Sequence, residues 1–277
     1  MADGGRFIPH AGHAWLALRQ ACSARSAQAA RPSPLNRIVS LVPSLTELVC
    51  ELGLADQLVG RTGFCNHPKE ALRKIPKVGG TKSVNLRKIR ELVPTHVIVN
   101  VDENLKETAD ALSQFVPNLI VTHPLAPLDN LALYRQVGNA FGKEQEAELL
   151  CRQFEAAFLE VQKTRYPDRK VLYLIWKDPW MTVSQDTYIS RTLALFGLET
   201  LPVGAQARYP KLENLELKGV ERILLSTEPY RFRESHRDEM QRQLGLPVSL
   251  IDGEMTSWYG PRAIAGLRYL AEFSASL

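Results

Sequence analysis

The side chains with the most chemical capacity in this 277-residue chain fall in segments that read as turns. Three of the four tryptophans, Trp176, Trp180 and Trp258, lie there, and Tyr209, Tyr230 and Tyr259 have similar surroundings. Large apolar rings are scarce in turns, so rings placed there imply a flat, partly apolar ligand or an interface. Trp176 also closes a strand-like run, which leaves a core role open to it. His67 precedes Pro68, where a neutral imidazole can meet a metal or a ligand. Cys65 is a second metal-capable group close by, but two ligands do not make a metal site. Lys82 and Arg262 are suited to ligand carboxylates. Ser44 stands at a predicted helix start, first as an N-cap and then as an anion contact. Asp252 and Glu254 share one segment and could exchange protons, yet no nucleophile accompanies them.

Recognised catalytic patterns are absent. The chain has no GxSxG elbow, Walker loop or HExxH, and no GxGxxG after a strand; Gly79-Gly80-Thr81-Lys82 lacks the spacing of a phosphate loop. Hydrophobic residues at 45% and charged residues at 23% describe an ordinary globular chain. No run approaches the roughly 18 apolar residues of a membrane span. The formal charge of +4 is unevenly placed: residues 1–36 hold Arg6, Arg19, Arg25 and Arg31 against Asp3, and 30 basic face 29 acidic residues thereafter. A nearly neutral body has no electrostatic footprint for nucleic acid. Residues 1–36 are predicted to be a disordered basic leader, and Arg19 interrupts the best candidate for a secretory signal core. Four cysteines without CxxC spacing predict reduced thiols.

The elements that must position these residues occur twice. Arg37 to Val42 is a short β-branched strand, and Leu45, Leu48, Val49 and Leu52 then mark a helix stopped by Gly53. Lys170 to Trp176 and Ile189 to Phe196 repeat the arrangement up to Gly197, and Gly53 and Gly60 share the interval of Gly197 and Gly204. Each half continues with a helix-like stretch and a second strand (Asn85–Val93 and His96–Val101; Asn214–Gly219 and Arg222–Ser226). A loop with a helix and a third strand follow (Leu119–Thr122; Val248–Ile251). Alternating strands and helices predict an α/β fold of two Rossmann-like lobes with parallel central sheets. The predicted lobes span 37–141 and 168–277. Residues 142–167, free of Gly and Pro from Lys143 to Tyr166, form a stiff connecting helix about 35 Å long. Ligands of such sheets bind beyond the carboxyl ends of the strands, where the aromatic loops fall.

From Asn36 onward the chain resembles the class III solute-binding proteins of cobalamin and iron-chelate ABC importers, and within them the helical backbone metal receptors. The resemblance is carried by Ile38-Val39-Ser40-Leu41-Val42-Pro43-Ser44-Leu45-Thr46-Glu47, Val59-Gly60-Arg61-Thr62 with Phe64-Cys65-Asn66-His67-Pro68, and Val78-Gly79-Gly80-Thr81-Lys82. Tyr173-Leu174-Ile175-Trp176-Lys177 and Asp252-Gly253-Glu254-Met255 with Ser257-Trp258-Tyr259-Gly260 complete it. It implies a non-enzymatic protein holding a metal-containing tetrapyrrole or chelate in an inter-lobe cleft for ABC-type import, cobalamin-like first and haem or siderophore second. Trp180, Tyr209 and Trp258 then correspond to aromatic cleft positions, and Thr81 and Lys82 stand where an aromatic is usual, favouring a smaller or more anionic chelate. No intrinsic cofactor is expected; the partners are the chelate and an ABC permease, and the state is monomeric. The resemblance implies a periplasmic location, the missing signal core a cytoplasmic one. The rival reading is a cytosolic enzyme or chaperone of tetrapyrrole or metal metabolism such as a chelatase.

Overall fold

A computed structural model describes residues 36–215 and 217–277, so all of the predicted leader but Asn36 lies outside the described residues. These residues form two compact units, one comprising 36–123 and 137–143, the other 124–136 and 144–277.

In unit 1 the elements run β1 (Ile38–Ser40), α1 (Pro43–Glu51), β2 (Leu58–Arg61), α2 (Lys69–Leu72), α3 (Leu86–Glu91), β3 (His96–Asn100), α4 (Lys106–Ser113) and β4 (Asn118–Thr122). The four strands form a parallel sheet in the order β2-β1-β3-β4. Parallel sheets need cover on both faces, and the strands accordingly read as continuous apolar runs. Val39, Leu41, Val97, Val99, Leu119 and Val121 pack with Ile89, Ala109 and Leu112 of the helices.

Unit 2 contains the first part of α5 (Asp129–Phe141), then α6 (Glu144–Val161), β5 (Arg169–Trp176), β6 (Trp180–Thr182), α7 (Tyr188–Ala194), β7 (Leu198–Thr200) and β8 (Lys211–Leu212). It ends with β9 (Arg222–Ser226), α8 (Glu234–Leu244), β10 (Val248–Ile251), α9 (Gly253–Ser257) and α10 (Arg262–Ala275). Its parallel strands run β7-β5-β9-β10, the order of unit 1 repeated. At the helix stops Gly53 and Gly197 have φ of 75° and 72°, the left-handed region that glycine enters without steric cost.

Three expectations are corrected. The second sheet is mixed: the C-terminal half of β5 pairs antiparallel with β6, and β6 with β8. This hairpin occupies what reads in sequence as a long loop after Trp176. Asn214–Gly219 shows no helix among its described residues; Leu215 and Leu217 instead pack as irregular chain against the unit 2 core. The helix expected through Tyr166 ends at Val161, giving about 27 Å at 1.5 Å per residue. Gln162 to Thr164 form a closing turn. Ala147, Leu150, Phe154, Phe158 and Val161 form its buried stripe, and it packs on α10 within unit 2.

Candidate ligand-binding site

All four strands of unit 1 point their C-terminal ends the same way, so the segments after β1, β2, β3 and β4 share one end of the sheet. After β2, the buried Arg61 donates to the carbonyls of Thr62 (3.1 Å), Cys65 (2.9 Å) and Leu72 (3.2 Å), which fixes the loop carrying Phe64 and His67. Cys65 is fully buried, its Sγ accepting from Thr46 Oγ1 at 3.0 Å, and burial pushes its thiol pKa up. It is a packed thiol, and no group of three or more metal-capable side chains occurs among the described residues. His67 is half-buried just before α2. Phe64 is 61% exposed.

Asn104 ties this end together. Its Oδ1 accepts from the Asn100 N–H (2.9 Å), and its Nδ2 donates to the carbonyls of Leu41 (3.3 Å) and Thr81 (3.0 Å). The Gly79–Lys82 turn is thereby fixed to the segments after β1 and β3. Lys82 Nζ donates to the Asp102 carbonyl (2.7 Å), and burial lowers its pKa against the opposing pull of Glu103 and Asp102. Ser44 is not an N-cap. That position belongs to Val42, with Pro43 at the first helical position. Ser44 sits one residue further on, 2% exposed, its Oγ without a hydrogen-bond partner.

In unit 2 the C-terminal ends of β5, β9 and β10 gather the aromatic segments. Trp176 closes β5 and is 39% exposed, which removes the core reading for it. Its ring meets Tyr230 edge-on at 5.6 Å, Tyr230 meets Phe232 at 4.7 Å, and Phe232 stacks on Trp180 at 6.2 Å and 6°. Lys177 Nζ lies 5.9 Å from the Trp180 ring. The structure thus brings Trp176, Trp180 and Tyr230 into one cluster. Trp180 and Tyr230 are half-buried against the unit 2 core, whereas Trp176 keeps much of its ring accessible. Tyr209 is half-buried on the segment beside β6, where the Arg208 and Pro210 carbonyls accept from Ser184 and Thr182.

Trp258 and Tyr259 follow α9 and are only 8% and 6% exposed. Tyr259 packs edge-on against Tyr188 at 5.7 Å. Next to it, Gly260 donates to Asn130 Oδ1 (2.7 Å) and accepts from Tyr134 OH (2.8 Å), so the turn is pinned into the unit. Trp258 Nε1 donates to Glu228 Oε1 at 2.5 Å, and Ser257 Oγ donates to the same oxygen at 3.2 Å. Arg262 lies over the Trp258 ring at 5.0 Å and pairs with Glu254 at 3.3 Å. Burial pushes the Glu228 carboxyl up to about 7; the Trp258 bond opposes this, Glu254 and Asp252 reinforce it, and Ser257 opposes it again.

Phe64, Asn104 and Glu228 are not singled out by the sequence. Phe64 carried the signal used for the tryptophans, an aromatic in a polar turn. Asn104 and Glu228 carried none, because, Asn100 aside, the groups that fix their side chains lie 23 to 63 and 25 to 30 residues away.

Two α/β units whose parallel strands β2-β1-β3-β4 and β7-β5-β9-β10 end in aromatic and polar loops agree with the build of a solute-binding protein. Residues 38–241 match the family described as periplasmic binding protein, and the chain belongs to that family. Its members are solute-binding proteins, not enzymes. A vitamin B12-binding protein of Pectobacterium carotovorum is 25% identical over 236 residues, covering 82% of this chain and 84% of that one. An uncharacterized ABC transporter substrate-binding lipoprotein of Bacillus subtilis is 24% identical over 250 residues, covering 85% and 79%. Among solved structures, the periplasmic vitamin B12-binding protein BtuF of Vibrio cholerae is similar with a TM-score of 0.76 at 18% identity, covering 88% of this chain and 98% of that one. The periplasmic heme-binding protein RhuT of Roseiflexus sp. RS-1 is similar with a TM-score of 0.73 at 21% identity, covering 88% and 99%.

Proposed function

We propose that the protein is an extracytoplasmic binding component of an ABC importer that captures a metal-bearing tetrapyrrole or related chelate, a corrinoid before haem. The observation that carries this reading is the aromatic cluster at the strand ends of unit 2, with Trp176 accessible above Tyr230. A broad, partly apolar macrocycle gains most from such a surface, since an offset or edge-on aromatic contact is worth about 0.5–1.5 kcal/mol beyond its buried area. The relatives named for vitamin B12 binding support the corrinoid preference. Phe64 and Lys82 in unit 1 are further proposed contacts, one for an apolar ring edge and one for an acceptor or anion. Ser44, His67, Thr81 and Tyr209 belong to the same proposal with smaller weight.

The loops act by position rather than by reaction. The residues fixed by Arg61, Asn104 and the β5–β6 hairpin are set before ligand arrives, which limits the ordering cost of binding. Trp258, Tyr259 and Glu254 support the surface from within unit 2. The chelatase reading loses its support to the family match over residues 38–241. No helix among the described residues is long and apolar enough to cross a membrane, and a permease is the proposed membrane partner. Protein purified from its own host is expected to carry a ligand with visible absorption and a matching mass. A colourless protein that takes up neither corrinoid nor haem on addition contradicts the proposal.

A further inference from the structure

We infer that Glu228 sets ligand selectivity in unit 2, admitting a macrocycle whose rim presents N–H donors such as carboxamides and turning away one whose rim presents carboxylates. This rests on the function proposed above and names the ligand class for the same surface. The carboxyl is held by construction. A Cβ at position 253 would fall 2.5 Å from Glu228 Cγ and 2.8 Å from its backbone nitrogen, so only glycine there lets the Glu228 arm pass. Trp258 Nε1 and Ser257 Oγ both converge on Oε1. From below, Tyr173 OH donates to Ser226 Oγ (3.0 Å), which donates to the Glu228 carbonyl (2.6 Å).

The two carboxyl groups acting on it carry its own sign. Asp252 and Glu254 act on Glu228 from α9 and its cap. The cation at this place, Arg262 of α10, is engaged by Glu254 and by the face of Trp258. Tyr269 OH, also on α10, accepts from the Asp252 N–H at 2.9 Å. A ligand carboxylate would join three acids and compete with Glu254 for one guanidinium, whereas an amide N–H would meet a carboxylate acceptor. With burial pushing the Glu228 carboxyl up to about 7, selectivity is expected to change across the neutral range. Its ionised fraction rises from roughly one-tenth at pH 6 to roughly nine-tenths at pH 8, so each ligand's affinity moves by up to about tenfold, in opposite directions.

The test compares dicyanocobinamide with dicyanocobyrinic acid, which share a ring and differ in rim amides against rim carboxylates. Both are titrated at pH 6 and pH 8 into the wild-type protein and into Glu228→Gln, whose amide oxygen still accepts from Trp258. The expected result is an amide-to-acid affinity ratio that climbs by roughly 10- to 100-fold between the two pH values in the wild type and stays within about threefold in the variant. Wild-type protein that binds the cobinamide with a ratio flat in pH overturns this inference alone, whether or not the variant folds. A folded variant that keeps the wild-type pH response overturns it equally. Wild-type protein that binds neither ring but takes up hemin overturns this inference and the corrinoid preference alone; wild-type protein that binds neither ring nor hemin overturns the proposed function, and this inference with it.

Discussion

Trp258→Ala is expected to lower the unfolding free energy by about 3–5 kcal/mol, the usual cost of truncating a large buried aromatic. Trp258 is 8% exposed, is covered by Arg262 and holds Glu228, so both packing and a charge-assisted hydrogen bond disappear together. The loss carries a pH signature. Glu228 has its folded pKa raised from 4.5 to about 7, so its contribution is intact below the unfolded value and lost as pH rises through the folded one. Trp258 opposes that rise; without it the folded pKa climbs further and the loss at high pH deepens. Denaturant unfolding is expected to give a destabilisation about 1–2 kcal/mol larger at pH 8 than at pH 4. An equal loss at both values would show that the indole packs but does not hold the carboxylate.

Gly266→Ala is expected to cost about 3 kcal/mol, at the upper end of what overpacking produces. A Cβ there would stand 2.3 Å from the Met255 carbonyl oxygen, which is backbone and cannot rotate aside. Gly266 is buried on α10, and Met255 lies within α9. Relief therefore requires α10 to move off α9, which carries Ser257 and leads into Trp258. A fall in denaturation midpoint with unchanged slope is the expected observation. A variant as stable as the wild type would mean that these two helices are not held at the described separation. Both substitutions act on the scaffold beneath the proposed ligand surface, so their readout is stability rather than binding.

Short β-branched and apolar runs located β1, β3, β5 and β9, and the repeated helix stop at Gly53 and Gly197 revealed that the elements occur twice. The β6–β8 additions escaped because Trp180 to Thr182 is three residues long and has no periodicity to read. Asn214–Gly219 reads as helical only as the counterpart of Asn85–Val93 in the other half; Leu215 and Leu217 are two residues apart, short of helical spacing, and the core takes them up from irregular chain. Aromatic residues in turns were identifiable, but their exposure was not. Trp176 and Phe64 present surface, whereas Trp258 and Tyr259 are fixed inside by Glu228, Asn130 and Tyr188. Glu228 was illegible for a related reason: its character comes from Gly253, Ser257 and Trp258, which only the fold brings beside it.

The central claim is that the accessible aromatic surface at the strand ends of unit 2 binds a metal-bearing macrocycle. Calorimetric titration of cyanocobalamin, dicyanocobinamide and hemin into the wild type and into Trp176→Ala tests it most directly, because Trp176 is exposed enough to be removed without opening the core. Saturable binding of at least one of these at about micromolar affinity or tighter, weakened roughly tenfold or more by the substitution, is the predicted result. Heat of dilution alone for all three, or binding of equal strength in the two proteins, would contradict it.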